Sequence, residues 1–177
     1  MVVSTNDAVT IPDDAALAIL SQRAGQALRA RGLMLATAES CTGGWIAKAV
    51  TDIAGSSGWF ECGLVTYGNT AKQALLGVRP QTLDAHGAVS GETAFEMVSG
   101  ALAKSGADIA VAVTGVAGPG GGSDEKPVGT VWIAWQRHGA AAVAHRHHFD
   151  GDREAVRRQT VAAALQGLLD LLATAAP

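Results

Sequence analysis

Apolar side chains recur every three or four residues in the first part of the chain, which is the spacing of one helix face. This run starts after Pro12 and ends at Gly32, and both are typical helix boundary residues. Its apolar positions are Leu17, Leu20, Ala24 and Leu28. The same spacing, with capping residues around it, predicts further helices over residues 45–50, 69–76, 91–105 and 152–172.

Short runs of apolar, aromatic and β-branched residues separate these helices and predict strands. The five runs cover residues 33–38, 59–67, 109–113, 128–135 and 140–149. A short turn with a glycine joins the last two runs, which predicts an antiparallel hairpin. The segment marked by Pro80 and Gly87 is interpreted as a linker. Strands that alternate with helices predict an α/β fold, with helices on both faces of a mixed, mostly parallel sheet.

The size and composition of the chain fit one compact domain. Its 177 residues are 48% hydrophobic and 16% charged, a composition that buries a large core and differs from that of disordered chains. We therefore expect a single domain over residues 12–177. Residues 1–11 are mostly polar or turn-forming, and we expect them to form a flexible arm.

Charge and cysteine content exclude several classes of function. Thirteen Lys and Arg residues stand against sixteen Asp and Glu, and the net charge of −3 lacks the basic excess that nucleic-acid binding requires. Cys41 and Cys62 form neither a CxxC pair nor a disulfide framework, which fits a reducing cytoplasm. No secretory signal and no apolar run of membrane-spanning length is present, so we expect neither export nor membrane insertion.

The turn ESCTGG over residues 39–44 joins a predicted strand to a predicted helix. Ser40 in this turn is a candidate nucleophile, because a side chain there is exposed beside helix amides. The amides of Thr42, Gly43 and Gly44 could hold an oxyanion. The alternative is that Ser40 or Thr42 only caps the following helix.

A serine nucleophile needs a base, and the chain has only four lysines. Lys72 follows a strand with Tyr67 at its end, and α/β sheets place their sites at the carboxyl ends of strands. Burial and a nearby helix end would lower the pKa of Lys72 and favour the neutral amine. Tyr67 could relay or orient the proton, or only be a strand-end aromatic in water. The other lysines are interpreted as solvated or loop residues: Lys48, Lys104 and Lys126.

Cys41 is the rival nucleophile, because a thiolate at a helix start is intrinsically more reactive than a hydroxyl. If Ser40 points toward the ends of the strands, the next residue in the turn points elsewhere. We therefore expect Cys41 to face the core as a small apolar side chain.

A glycine-rich loop extends from Thr114 to Ser123, directly after a predicted strand. Its small residues let backbone amides approach a ligand such as a phosphate, so Thr114, Gly115 and Gly118 are candidate substrate contacts. A flexible linker is the alternative. Arg153 opens the last helix, where it could reach an anion or lie exposed in solvent.

His145 and His147 share one face of a predicted strand, as two ligands of a metal site would. No carboxylate or cysteine stands at ligand spacing from them. We therefore expect neither a metal nor another cofactor, and interpret the two histidines as a solvated strand face.

Several separated blocks together resemble the CinA C-terminal domain family, which is the nicotinamide-nucleotide amidohydrolase family. The blocks occur in the family's order and span about Leu17 to Leu172. They are AESCTGG (38–44), VTY (65–67), Lys72, GAVS (87–90), TGVAGP (114–119), KPVGTV (126–131) and GDR (151–153).

The resemblance implies a three-layer α/β/α sandwich that forms homo-oligomers. It also implies metal-free deamidation of nicotinamide mononucleotide to nicotinic acid mononucleotide and ammonia, in the recycling of pyridine nucleotides. By position, Ser40 matches the nucleophile of the family, Lys72 the base and Tyr67 its hydroxyl partner.

Two other functions stay open at this point. A member of such a family can keep its fold and lose catalysis, which would leave a nucleotide-sensing module that binds through the glycine loop. A factor in DNA uptake is suggested only by the family's name, and the negative net charge gives it no support.

Overall fold

The computed structural model describes residues 10–174, in which α-helices alternate with β-strands. The helices are α1 (Asp14–Arg29), α2 (Trp45–Thr51), α3 (Asn69–Leu76), α4 (Pro80–His86), α5 (Gly91–Ser105) and α6 (Arg153–Thr174). The strands are β1 (Leu35–Glu39), β2 (Phe60–Val65), β3 (Ile109–Gly115), β4 (Thr130–Arg137) and β5 (Val143–His148). Side-chain caps fix two of the helix starts, since Asp13 accepts a hydrogen bond from the amide of Ala16 and Ser90 accepts one from the amide of Thr93.

The strands form one sheet in the order β2-β1-β3-β4-β5. β1 pairs in parallel with β2 and β3, whereas β4 is antiparallel to both β3 and β5. The mixed sheet is confirmed, and so is the hairpin, formed by β4 and β5. Because β1, β2 and β3 point the same way, their carboxyl ends meet at one edge, where Glu39 is in register with Val65 and Val113.

Two apolar cores cover the two faces of the sheet. On one face α1, α2 and α6 bury side chains such as Leu28, Ile46 and Leu165. On the other face α3, α4 and α5 bury side chains such as Leu76 and Met97. None of these five side chains is more than 3% exposed. The predicted three-layer α/β/α sandwich is therefore confirmed.

Helices α3 and α5 are in close contact at Gly100. A Cβ atom at this position would lie 1.9 Å from the backbone oxygen of Leu76, so no larger residue fits unless the two helices separate. Leu76 ends α3, one turn after Lys72. Because residue 100 has no side chain, α5 can lie this close to the end of α3.

The segment between Pro80 and Gly87 corrects the sequence interpretation. It is the helix α4 rather than a linker, with Pro80 in its first turn and Leu83 buried. Proline is favoured in the first turn of a helix, because its missing N–H would have no partner there. The signal was therefore available in the sequence, although the helix has only seven residues.

The predicted arm over residues 1–11 lies outside the described residues except for Thr10 and Ile11, which are exposed and precede α1. None of the helices described over residues 10–174 combines the length and the apolar character that crossing a membrane requires.

Candidate active site

The carboxyl edge of the three parallel strands places the ends of β1, β2 and β3 side by side. Ser40 directly follows β1, and its amide donates to the backbone oxygen of Val113 on β3. Thr66 directly follows β2, and its amide donates to the backbone oxygen of Glu39 on β1. These two bonds extend the β1–β3 and β1–β2 pairings by one residue, and so fix the backbone of Ser40 against β3 and that of Thr66 against β1.

Ser40 and Lys72 form a buried pair at this edge. The Nζ atom of Lys72 donates to the Oγ atom of Ser40 at 2.9 Å, and to the backbone oxygens of Thr66 at 2.8 Å and Tyr67 at 3.2 Å. The exposed fraction is 8% for Ser40 and 1% for Lys72. Within residues 10–174 no carboxylate forms an ion pair with Lys72. The polar partners of the lysine nitrogen are therefore neutral groups, one hydroxyl and two backbone carbonyls.

Burial lowers the pKa of Lys72, because a charged amine loses more hydration than a neutral one when it is taken from water. Burial is one of the two causes for which the sequence analysis expected a lowered pKa of Lys72. In the neutral state the two N–H groups can remain on the carbonyls of Thr66 and Tyr67. The nitrogen lone pair is then available to the hydroxyl of Ser40, which is the geometry of a base beside a nucleophile.

A cavity of about 310 Å³ opens in front of this pair. Six residues singled out from the sequence besides the pair line it: Cys41, Tyr67, Thr114, Gly115, Gly118 and Arg153. The loop before α5 adds Ala88 and Val89, which belong to the GAVS block (87–90) of the family resemblance but were given no role there. The Oγ1 atom of Thr114 donates to the backbone oxygen of Ala88 at 2.7 Å and so connects the two walls.

Tyr67 and Arg153 are in contact at the mouth of this cavity. Arg153 donates to the backbone oxygen of Gly118 at 2.7 Å and to the Tyr67 hydroxyl at 3.1 Å. The Tyr67 side chain is 62% exposed, and its hydroxyl makes no hydrogen bond to Ser40 or Lys72 among the described residues. The direct proton relay considered for Tyr67 is therefore not present in this arrangement. Its backbone oxygen contacts the lysine instead.

Glu39 organises the turn that follows it. Its carboxylate is fully buried and accepts from the hydroxyl of Thr42 at 2.6 Å and from the amides of Gly44, Ile46 and Ala47 at 2.8–3.1 Å. The carboxylate thus satisfies the free amides at the start of α2. Sequence reasoning missed this residue. The available signal was a glutamate at the end of an otherwise apolar strand, just before a helix start.

The predicted oxyanion role of Gly43 and Gly44 is wrong. The amide of Gly44 is taken by Glu39, and the amide of Gly43 donates to the backbone oxygen of Ser40. Thr42, Gly43 and Gly44 line a different cavity of about 410 Å³, together with Arg157. The two glycines have φ angles of 63° and 96°, so they are required by the tight turn rather than by ligand contact.

Cys41 lies in the apolar core, as the sequence analysis expected, although its surface also reaches the 310 Å³ cavity. Its exposed fraction is 5%, and burial raises the pKa of its thiol to about 12. A thiol with such a pKa remains protonated at neutral pH and is a poor nucleophile. Among the remaining lysines, Lys48 pairs with Asp52 on an exposed face of α2.

The histidines of β5 do not form a metal centre within the described part of the chain, where no cluster of three or more potential ligands occurs. His147 stacks on Phe149 with 5.2 Å between ring centroids, and His145 lies edge-on to Trp135. Burial lowers the pKa of His147, which is half-buried, whereas His145 is exposed. Only part of this face is therefore solvated.

Comparison with known proteins gives concordant matches. Residues 17–172 match the CinA C-terminal domain family. The chain is 57% identical over 155 residues to nicotinamide-nucleotide amidohydrolase PncC of Escherichia coli (strain K12), covering 88% of this chain and 94% of that protein. It is 58% identical over 152 residues to a protein of the same name from Pseudomonas putida, covering 86% and 94%. A crystal structure of a competence/damage inducible protein from Agrobacterium tumefaciens superposes with a TM-score of 0.86 at 48% identity, covering 92% and 98%.

Proposed function

Because this chain belongs to the CinA C-terminal domain family, we propose that it is an amidohydrolase that deamidates nicotinamide mononucleotide to nicotinic acid mononucleotide and ammonia. The names of the relatives that are 57% and 58% identical support the reaction and the substrate. The main structural support is the 2.9 Å contact between Ser40 and a buried lysine that has no carboxylate partner in the described chain. In the cell this reaction would recycle the pyridine ring toward NAD, in the cytoplasm and in a homo-oligomer.

In the first half of the reaction, the Oγ atom of Ser40 attacks the carboxamide carbon while Lys72 takes the hydroxyl proton. The carbonyl oxygen becomes an oxyanion in the tetrahedral intermediate. When the C–N bond breaks, Lys72 returns the proton to the departing nitrogen, and ammonia leaves. An ester between Ser40 and the nicotinoyl group remains.

In the second half, a water molecule attacks the ester carbon and gives its proton to the neutral Lys72. The bond between carbon and the Ser40 oxygen breaks, and the same proton returns to the serine. The product leaves as a carboxylic acid, which loses its remaining proton to water to become the carboxylate, and the pair is restored. One lysine serves both halves because it is neutral at the start of each.

The substrate phosphate is assigned to the mouth of the cavity, where Arg153 and the glycine-rich loop meet. Arg153 is exposed and its two hydrogen bonds are to neutral oxygens, those of Gly118 and Tyr67. A phosphate offers a stronger, charge-assisted partner in the same place. Gly120 to Gly122 line the same cavity and carry no side chain that would occupy it. Tyr67 would then orient Arg153 rather than handle a proton.

The experiment is an ammonia-release assay with nicotinamide mononucleotide, followed by mass spectrometry of the quenched protein. We expect the wild type to release ammonia and Ser40→Ala to release none while keeping its thermal unfolding curve. Ser57→Ala, at an exposed serine of the turn before β2, is the matched control and should retain full turnover. Tight binding of the mononucleotide without turnover by the wild type would identify the nucleotide-sensing module instead.

A further inference from the structure

The turn after β1 uses nearly all of its backbone amides internally. The amides of residues 40, 43, 45 and 48 donate to backbone oxygens, and those of residues 44, 46 and 47 donate to Glu39. Between residues 40 and 48, only the amides of Cys41 and Thr42 donate to no other residue of the described chain. Unpaired amides in a buried turn are unusual, and beside a candidate nucleophile they are potential oxyanion donors.

Arg157 holds the peptide group that contains the Thr42 amide. Its Nε atom donates to the backbone oxygen of Cys41 at 3.1 Å, and its Nη2 atom donates to that of Thr42 at 2.8 Å. The guanidinium also stacks over Trp45, 5.1 Å from the ring centroid. A half-buried arginine with these three contacts is fixed in one position.

Peptide geometry then sets the direction of the Thr42 amide. In a trans peptide the C=O of one residue and the N–H of the next point in opposite directions. The N–H of Thr42 therefore points away from Arg157, as does the N–H of Gly43. The Gly43 amide donates to the backbone oxygen of Ser40, so this direction leads toward the serine.

From these contacts we propose that Arg157 is a positioning residue, which holds the Cys41–Thr42 peptide so that the buried Thr42 amide, on the side of the peptide opposite the 410 Å³ cavity, faces the developing oxyanion on the Ser40 adduct. Its positive charge also polarises the peptide and strengthens the N–H as a donor. This inference deepens the proposed function and rests on it. Of the three amides predicted to hold the oxyanion, those of residues 42–44, only the Thr42 amide keeps this role. The Cys41 amide is its neighbour in the turn.

The test replaces Arg157 by lysine, which keeps the charge but cannot bind both carbonyls. We expect Arg157→Lys to lower kcat for nicotinamide mononucleotide by about 10–100-fold, with KM within about twofold, since losing one oxyanion donor costs about 10²–10³-fold. Arg157→Gln is the second variant, in case the lysine variant does not fold. Arg158→Lys is the matched control: Arg158 also stacks on Trp45, at 4.9 Å, but bonds Asp14 and Glu154 rather than the turn.

A second readout does not depend on the amide substrate. Pyridine-3-boronic acid forms a tetrahedral anionic adduct with a reactive serine, here by a new bond from boron to the Ser40 oxygen as the hydroxyl proton passes to Lys72. We expect Arg157→Lys to weaken this adduct by the same factor as kcat, while affinity for nicotinic acid mononucleotide is unchanged. A merely structural role would change both affinities together.

The inference would be overturned if Arg157→Lys kept the wild-type kcat and boronate affinity, or if it changed KM alone. It would also be overturned if Arg158→Lys lost as much kcat as Arg157→Lys, or if the wild type formed no boronate adduct. If the wild type binds the boronate in an Arg157-dependent way but releases no ammonia from the mononucleotide, the proposed substrate is wrong and the positioning role of Arg157 is supported.

Discussion

The Nζ atom of Lys72 lies 2.9 Å from the Oγ atom of Ser40, with the lysine side chain almost completely excluded from solvent. The other acceptors of that nitrogen are two neutral backbone oxygens. An ammonium group in such a place lacks both water and a counter-charge, so its proton is held weakly. The proposed reaction depends on this property, because only the neutral amine can accept the serine proton.

The pH dependence of turnover should report this lysine. Burial lowers the pKa of Lys72 below its ordinary value of 10.5. The protonated form is inactive, so kcat/KM should rise with pH and level off above an apparent pKa that lies below 10.5. Steady-state assays across neutral and alkaline pH measure the profile. Activity that still rises steeply at the ordinary lysine pKa would contradict this assignment.

Lys72→Arg should not support catalysis. A guanidinium stays protonated at any pH at which the protein is folded, so it cannot act as the base, and we expect at least about a 100-fold loss of kcat. Lys48→Arg, at an exposed lysine paired with Asp52, is the control and should be fully active. Turnover of Lys72→Arg close to the wild-type value would leave only a positive-charge role for residue 72.

Arg153→Ala should separate phosphate binding from chemistry. Losing one charge-assisted hydrogen bond to the phosphate should raise KM for nicotinamide mononucleotide about tenfold or more. The kcat/KM for nicotinamide riboside, which lacks the phosphate, should change little. Arg146→Ala removes an equal charge from an exposed arginine on β5 and should affect neither substrate. If kcat/KM fell equally for both substrates, Arg153 would shape the cavity wall and would not bind the phosphate.

Cys41→Ala should keep substantial turnover, and alkylating reagents should inhibit the folded protein weakly. Burial raises the pKa of this thiol to about 12, so almost no thiolate exists at neutral pH. Rates of ammonia release before and after alkylation measure the effect. Near-complete loss of turnover in a folded Cys41→Ala protein, with Ser40→Ala still active, would exchange the roles of the two residues.

Glu39→Gln should destabilise the protein rather than change its chemistry directly. Glu39 accepts hydrogen bonds from three backbone amides and from hydroxyls. In the glutamine variant the side-chain NH2 group would face some of these N–H and O–H donors and could not accept from them. We expect about 2–4 kcal/mol lower free energy of unfolding, measured by urea denaturation. Glu61→Gln on the exposed side of β2 is the control, expected within about 0.5 kcal/mol of wild type. Equal stability of the two variants would show that Glu39 is not required for the turn.

Much of the fold was predictable because the periodicity and caps were strong. Residues 69–76 were predicted to be a helix and form α3 over the same residues, and Ser90 caps α5 as expected. The contact between Ser40 and Lys72 could also be anticipated, because each follows a strand and parallel strands bring their carboxyl ends together. Local pattern and topology gave consistent predictions at these positions.

The parts that could not be predicted depend on side-chain direction and on long-range hydrogen bonds. The sequence shows that Thr42 to Gly44 start a helix, but not that Glu39 already occupies the amides there. Arg157 lies 115 residues from the carbonyl of Thr42 that it binds, and no local pattern indicates that contact. Tyr67 belongs to the right strand end, yet its hydroxyl turns toward Arg153.

The close approach of α5 to α3 has a consequence for how damaging substitutions would be distributed in this protein. Gly100 contacts the last residue of α3, Leu76, and is not among the residues that line the cavity. Any side chain there would push on the carbonyl of Leu76 and shift the helix that delivers Lys72, and a shift of a fraction of an ångström is enough to lengthen a hydrogen bond between a base and a nucleophile. In a mutational scan scored by growth that requires deamidation of nicotinamide mononucleotide, Gly100 would therefore tolerate no replacement, as the active-site residues would not. The essential positions would then extend into the helical layer, well beyond the residues that line the cavity.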